Sequence, residues 1–229
     1  LLKSRVCLFV LILLFMPEAA FLVIDSTEYM RNGDYFPNRI MAVQEAASLL
    51  CNAKLEQNQE NTIGFMTMGG QACNVVETLT ADVDRVVASI TQIPISGKKP
   101  HFGRALQIAS LALTHRLNPR AEKRIIAFVG SPLLEDHDEL QKLAKKLRKD
   151  SYAVDIIAFG VEENQEKLSA FVDTVNKDQN SRFLNITEGH AIVDSLMSSA
   201  IFLGNEAVAA MSGAGAAASG GAGGDFEFG

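Results

Sequence analysis

The chain has 229 residues, a formal net charge of −6 and a 48% hydrophobic fraction. That suits one domain of about 200 residues with a substantial core plus a tail. The acidic balance argues against a nucleic-acid-binding domain, which carries a strongly basic face. Three scattered cysteines, Cys7, Cys51 and Cys73, have no C-x-x-C spacing and fit a reducing compartment better than a disulfide framework.

Lys3 and Arg5 precede an apolar run from Val6 to Phe15. The layout is that of a signal peptide, but the run is shorter than the ~20 residues of a membrane span. No A-x-A-like site follows, and Met16 comes at once. Residues 1–15 therefore read as an upstream or cloning-derived apolar segment, with no membrane partner. The run Phe21-Leu22-Val23-Ile24 is predicted to be a strand buried on both faces. It delivers Asp25, Ser26, Thr27 and Glu28 to the carboxyl edge of a sheet, where open α/β sheets hold their ligands.

Asn32-Gly33-Asp34 forms a turn and Pro37 closes the loop. A helix from about Asn38 presents Ile40, Val43, Ala47, Leu50 and Ala53 on one face. Ile63–Met68 and Cys73–Val76 are strands whose link is too short for a parallel crossover, so they pair antiparallel at an edge. Thr80 is predicted to cap the next helix, with Asp82 in its first turn, and Val83, Val86, Val87 and Ile90 buried. Another helix starts at Gly103. Arg124–Val129 is a strand stopped by Gly130-Ser131-Pro132. Leu140, Leu143, Ala144 and Leu147 mark an amphipathic helix, and Tyr152–Gly160 a further strand. Leu168, Phe171, Val172 and Val175 line the following helix. Phe183–Ile186 is the last strand, and Ile192, Val193 and Leu196 mark the last helix.

Strands alternating with helices predict an α/β fold. It is a doubly wound, Rossmann-like, mostly parallel sheet with one short antiparallel edge strand and helices on both faces, spanning residues 16–203. Residues 204–229 are rich in Gly, Ala and Ser and read as a flexible linker. It ends in the acidic-aromatic Asp225-Phe226-Glu227-Phe228-Gly229.

No Walker loop, G-x-S-x-G or H-E-x-x-H is present. Gly213-Ala-Gly215 follows no strand and is no dinucleotide fingerprint. His101, His115, His137 and His190 lack metal-ligand spacing, and no nucleophile and base pair supports a Rossmann-like hydrolase. Lys142, Lys145, Lys146, Arg148 and Lys149 read as the solvated face of a helix, their charge suited to its C-terminal end, the alternative being a docking surface for an acidic protein partner.

The layout around Asp25 resembles the start of a von Willebrand factor A domain. That family carries D-x-S-x-S after the first strand, a threonine before the third major helix and an aspartate after the fourth strand, together a metal-ion-dependent adhesion site. Here Asp25 is present and Thr27 replaces the first serine. Tyr29 replaces the second, no threonine lies near Pro100–Gly103, and Gly130 stands where the aspartate is expected. One carboxylate and one hydroxyl do not make the six-oxygen shell of Mg²⁺, so the site at Asp25, Thr27 and Gly130 reads as degenerate, with no cofactor. The alternative is a secreted metal-dependent adhesion A domain, for which Asn185-Ile186-Thr187 would be a glycan acceptor.

Longer runs narrow the resemblance. Asp25–Asp34, Arg124–Pro132, Leu143–Leu147, Val154–Gly160 and Asp225–Gly229 are similar to the ubiquitin-receptor, non-ATPase subunit family of the proteasome regulatory particle. The resemblance implies a non-enzymatic scaffold that docks between lid and base subunits, in cytoplasm and nucleus. It implies polyubiquitin capture only through a region beyond Gly229, in ubiquitin-dependent degradation. Asp25, Ser26, Glu28, Tyr29 and Arg31 are the candidate partner-docking residues.

Overall fold

The computed structural model describes residues 16–202; the readings of residues 1–15 and of the tail fall outside these. Strand β1 (Glu18–Ile24) leads through a 3-10 turn (Glu28–Arg31) into helix α1 (Arg39–Gln57). There follow β2 (Thr62–Thr67), β3 (Asn74–Thr80), α2 (Val83–Ile90), α3 (Phe102–Thr114), β4 (Glu122–Val129), α4 (His137–Lys149), β5 (Ala153–Phe159), α5 (Glu163–Val175), β6 (Arg182–Ile186) and α6 (Ile192–Met197). The six strands form one sheet in the order β3-β2-β1-β4-β5-β6. All neighbours are parallel except β2 and β3, which makes β3 the antiparallel edge strand predicted from the short link.

β1 is central because it hydrogen-bonds on both sides, Leu22 lying opposite Phe65 of β2 and Ile126 of β4. Alternate residues feed opposite faces. Phe21 and Val23 pack with α3, α4 and α5, where Phe102 and Phe171 meet edge to face at 5.9 Å. Leu22 and Ile24 pack with Val43, Leu50, Val86 and Phe128 under α1, α2 and α6. Helix α1 starts where expected because the Asn38 side chain accepts a hydrogen bond from the Met41 amide at 2.9 Å, satisfying one of the helix's orphan donors. The basic residues of α4 are exposed.

One boundary differs from the sequence expectation. Thr80 ends β3, which runs farther than predicted along a bulged pairing with β2. Asp82 caps α2 instead, its carboxylate accepting from the Arg85 amide at 3.1 Å. Thr80 supports that cap by accepting from the Asp82 amide at 3.1 Å. Asn185 lies inside β6 and donates its amide to Gln165 at 3.1 Å.

The amino edge of the sheet holds a charge cluster. Glu18 receives Lys54 of α1 and Arg124 of β4, each at 2.6 Å. Arg124 also reaches Asp155 of β5 at 2.7 Å and the Asn180 carbonyl at 3.1 Å. Asp155 is fully buried and accepts from the Arg182 amide of β6 at 3.0 Å. Four strands and a helix thus share one network of paired charges. Burial by itself would raise the Glu18 carboxyl; Arg124 and Lys54 overcome that and hold it down to about 2, against an ordinary 4.5. The same two carboxylates push the Arg124 guanidinium up against the opposing effect of its burial.

A depressed carboxyl stabilises the fold above its unfolded value, and that contribution disappears as pH falls through the folded value. Urea denaturation should therefore show stability falling between pH 4.5 and about 2, with Glu18→Gln flattening the fall. At neutral pH, Arg124→Ala should lose about 3–5 kcal/mol, because two buried carboxylates are left without their cation. A loss under 1 kcal/mol would show that the cluster contributes little.

Candidate functional site at the carboxyl edge of the sheet

The residues after β1 converge on the opposite edge. Asp25 is fully buried. Its Oδ1 accepts the Thr27 amide at 3.0 Å, and its Oδ2 accepts the Gly130 amide at 3.2 Å and the Ser131 hydroxyl. A carboxylate only accepts, so the single proton of Ser131 Oγ points at Asp25. Thr27 Oγ1, which also contacts Ser131 Oγ, must then be the donor in that pair. A hydroxyl relay from Thr27 through Ser131 to Asp25 thus occupies the space between the two residues that would begin a metal shell.

Gly130 shows why no aspartate stands there. A Cβ at this position would lie 2.4 Å from Phe159 Cε2 and 2.8 Å from Met30 Sδ. Both side chains are buried. The room that an adhesion site gives to a carboxylate and cation is filled by a ring and a thioether. Among the described residues no group of three or more His, Cys, Asp or Glu could hold a metal. His101, in the stretch without the threonine, turns its ring to the Gly70 carbonyl at 3.3 Å.

Neighbouring loops fix the chain after Asp25. The Ser26 carbonyl accepts from the Ser96 amide at 2.7 Å, and the Glu28 amide donates to the Gly97 carbonyl at 2.9 Å. Beyond the 3-10 turn, Arg39 closes the loop. It is 4% exposed, pairs with Asp34, and donates to the Gly130 carbonyl at 2.6 Å and the Gly160 carbonyl at 3.0 Å. Arg39 holds the Asp34 carboxyl below the usual range. Gly160 is required twice: its φ is +68°, and a Cβ would sit 2.3 Å from the guanidinium. Tyr35 completes the clasp, its hydroxyl donating to the Ile186 carbonyl of β6 at 2.7 Å and accepting from the Gly160 amide at 3.1 Å.

The five candidate docking residues divide. Asp25 and Ser26 are fully buried, which corrects the reading of them as contact residues: the charge of Asp25 is already met by three internal donors. Glu28, Tyr29 and Arg31 are exposed, and Glu28 and Arg31 pair at 2.6 Å. Sequence reasoning missed Arg39, Tyr35 and Ser131, and also Phe36, which is 93% exposed between the clasped Tyr35 and Arg39. Cys51 is buried and its thiol pushed up to about 12 by burial, so it is inert.

Residues 20–132 match the von Willebrand factor type A domain family. The chain is 41% identical over 192 residues to the 26S proteasome non-ATPase regulatory subunit 4 homolog of Oryza sativa subsp. japonica, covering 82% of this chain and 48% of that protein. It is 40% identical over 204 residues to the 26S proteasome regulatory subunit RPN10 of Saccharomyces cerevisiae, covering 86% of this chain and 76% of that one. The crystal structure of the SpRpn10 VWA domain superposes with a TM-score of 0.77 at 36% identity, covering 82% of this chain and 98% of that one. The chain spans about half the length of the first relatives it matches, 48% of the rice protein and 53% of the Dictyostelium discoideum subunit. By identity, coverage and fold, the chain belongs to the family of the 26S proteasome non-ATPase regulatory subunit 4, represented by its von Willebrand factor type A domain.

Proposed function

We propose that this domain is a non-catalytic docking module of the proteasome regulatory particle, seated against lid and base subunits. In this reading the parent protein is a polyubiquitin receptor of the cytoplasm and nucleus that captures its cargo through a region beyond Gly229. The observation that carries the proposal is the loop between β1 and α1. It is clasped from below by Asp25, Tyr35 and Arg39 yet presents Tyr29 42% exposed and Phe36 93% exposed. A rigid loop bearing aromatics and an ion pair has the composition of an interface anchor. The alternative, a secreted adhesion domain, finds no support in the relatives, whose names are those of proteasome subunits. Its glycan acceptor Asn185 is engaged within β6.

Four measurements test this. The double variant Tyr29→Ala, Phe36→Ala should keep its melting temperature yet co-purify poorly with regulatory particles. Loss of such an anchor is worth about 2 kcal/mol or more, roughly thirtyfold in affinity; undiminished recovery would overturn the docking surface.

Calorimetric titration with Mg²⁺ or Ca²⁺ should give no saturable heat, because Thr27 and Ser131 already satisfy Asp25. Asp25→Asn should instead lose about 1–3 kcal/mol of stability, since an amide proton then faces a donor.

A chain ending at Gly229 should retain no polyubiquitin in a pull-down. Retention equal to that of a full-length relative would mean that the domain has its own ubiquitin surface.

A further inference from the structure

The docking loop contains the dipeptide Asn32-Gly33, the one Asn-Gly in the chain. Both residues are exposed. Among the described residues the Asn32 carboxamide makes no side-chain hydrogen bond and the Gly33 amide donates to nothing. Gly33 does not hold a left-handed φ, and the space beside it is open: a Cβ there would meet only the Pro37 carbonyl oxygen, at 3.7 Å. An unhindered amide nitrogen therefore follows directly on an unengaged carboxamide carbon.

We propose that Asn32 is a site of spontaneous deamidation that converts the docking loop to an isoaspartyl form. The Gly33 nitrogen attacks Asn32 Cγ. The new N–Cγ bond closes a five-membered imide, the Cγ–Nδ2 bond breaks, and Nδ2 leaves as ammonia with the Gly33 proton. Solvent water then opens the imide at either carbonyl, giving aspartate or isoaspartate. No oxidant or cofactor is needed. Ring closure requires rotation about the Asn32 Cα–C bond, whose ψ is 141°. That rotation swings the Asn32 carbonyl away from the Arg39 amide, which donates to it at 2.9 Å. The rate thus reports opening of the loop at the first residue of α1. Isoaspartate inserts a methylene into the main chain between the 3-10 turn and α1. It also adds a carboxylate next to Asp34, competing for Arg39. The product is a loop displaced from its clasp. Its effect on assembly rests on the docking reading above; the chemistry does not.

The test uses the full chain aged in neutral to mildly alkaline buffer at physiological temperature. Trypsin cuts after Arg31 and Arg39, so Asn32 and Asn38 leave in one peptide. Asn38 is an internal control, because its carboxamide accepts the Met41 amide at 2.9 Å and a bulky Arg39 follows it. Mass spectrometry should find ammonia lost at Asn32 and not at Asn38, and an isoaspartyl methyltransferase should label the product. Gly33→Ala fits the structure and should slow the reaction several-fold with an unchanged melting temperature. Asn32 reacting no faster than Asn38, or Gly33→Ala no slower than the parent chain, would overturn the site. Aged chain separated by anion exchange should co-purify with regulatory particles less well than fresh chain. Equal recovery would overturn the coupling to docking, while failure of docking itself would show in the Tyr29 and Phe36 variant.

Discussion

The carboxyl edge of this domain depends on one guanidinium. Arg39 begins α1, yet its charge is spent on Asp34, the Gly130 carbonyl and the Gly160 carbonyl. The last two are the ends of β4 and β5, whose carbonyls point out of a parallel sheet with no strand to receive them. A planar fork of donors is the side chain suited to several acceptors at once. Through it the helix start, two strand ends and the turn at Asp34 become one rigid unit, and Tyr35 extends that unit to β6. Without a cation in its place, such an edge would carry unpaired buried carbonyls, each costing about 1–3 kcal/mol.

The Asp25 network makes the same point for the neighbouring strand. Here Ser131 supplies the proton that a metal would replace, and Phe159 and Met30 fill the remaining room. What this edge exposes is a braced loop with Tyr29, Phe36 and the Glu28–Arg31 ion pair on its surface.

Much of this was legible in the sequence, for local reasons. The apolar run before Asp25, the strand ending at Gly130 and the short link between β2 and β3 each carry their signal within a few residues. The degenerate metal pattern was legible too, since Thr27, Tyr29 and Gly130 occupy recognisable places. What could not be read was pairing across distance. Ser131 looked like a strand stop, and nothing nearby showed that its partner stands 106 residues away. Nothing local to Glu18 or Arg124 signals their pairing, which the register of β1 against β4 creates, and nothing local to Arg39 signals the strand-end carbonyls it meets. For the same reason Asp25 was read as a contact residue: burial depends on neighbours from β4.

The position of β1 has a consequence during synthesis. It comes early in the chain but lies in the middle of the sheet, and its β4 partners, such as Arg124 opposite Ala20, are made much later. At about 5–20 residues per second, roughly 100 residues of delay mean about 5–20 s in which Phe21-Leu22-Val23-Ile24 has one possible strand neighbour at most. Helix α1 and β2 can form beside it first, but the second edge and the charge cluster at Glu18 must wait. A nascent chain of this domain therefore carries an open, strongly apolar strand edge near the ribosome for seconds. A chaperone held on that edge during the delay would protect it, and slower translation before β4 would lengthen its exposure.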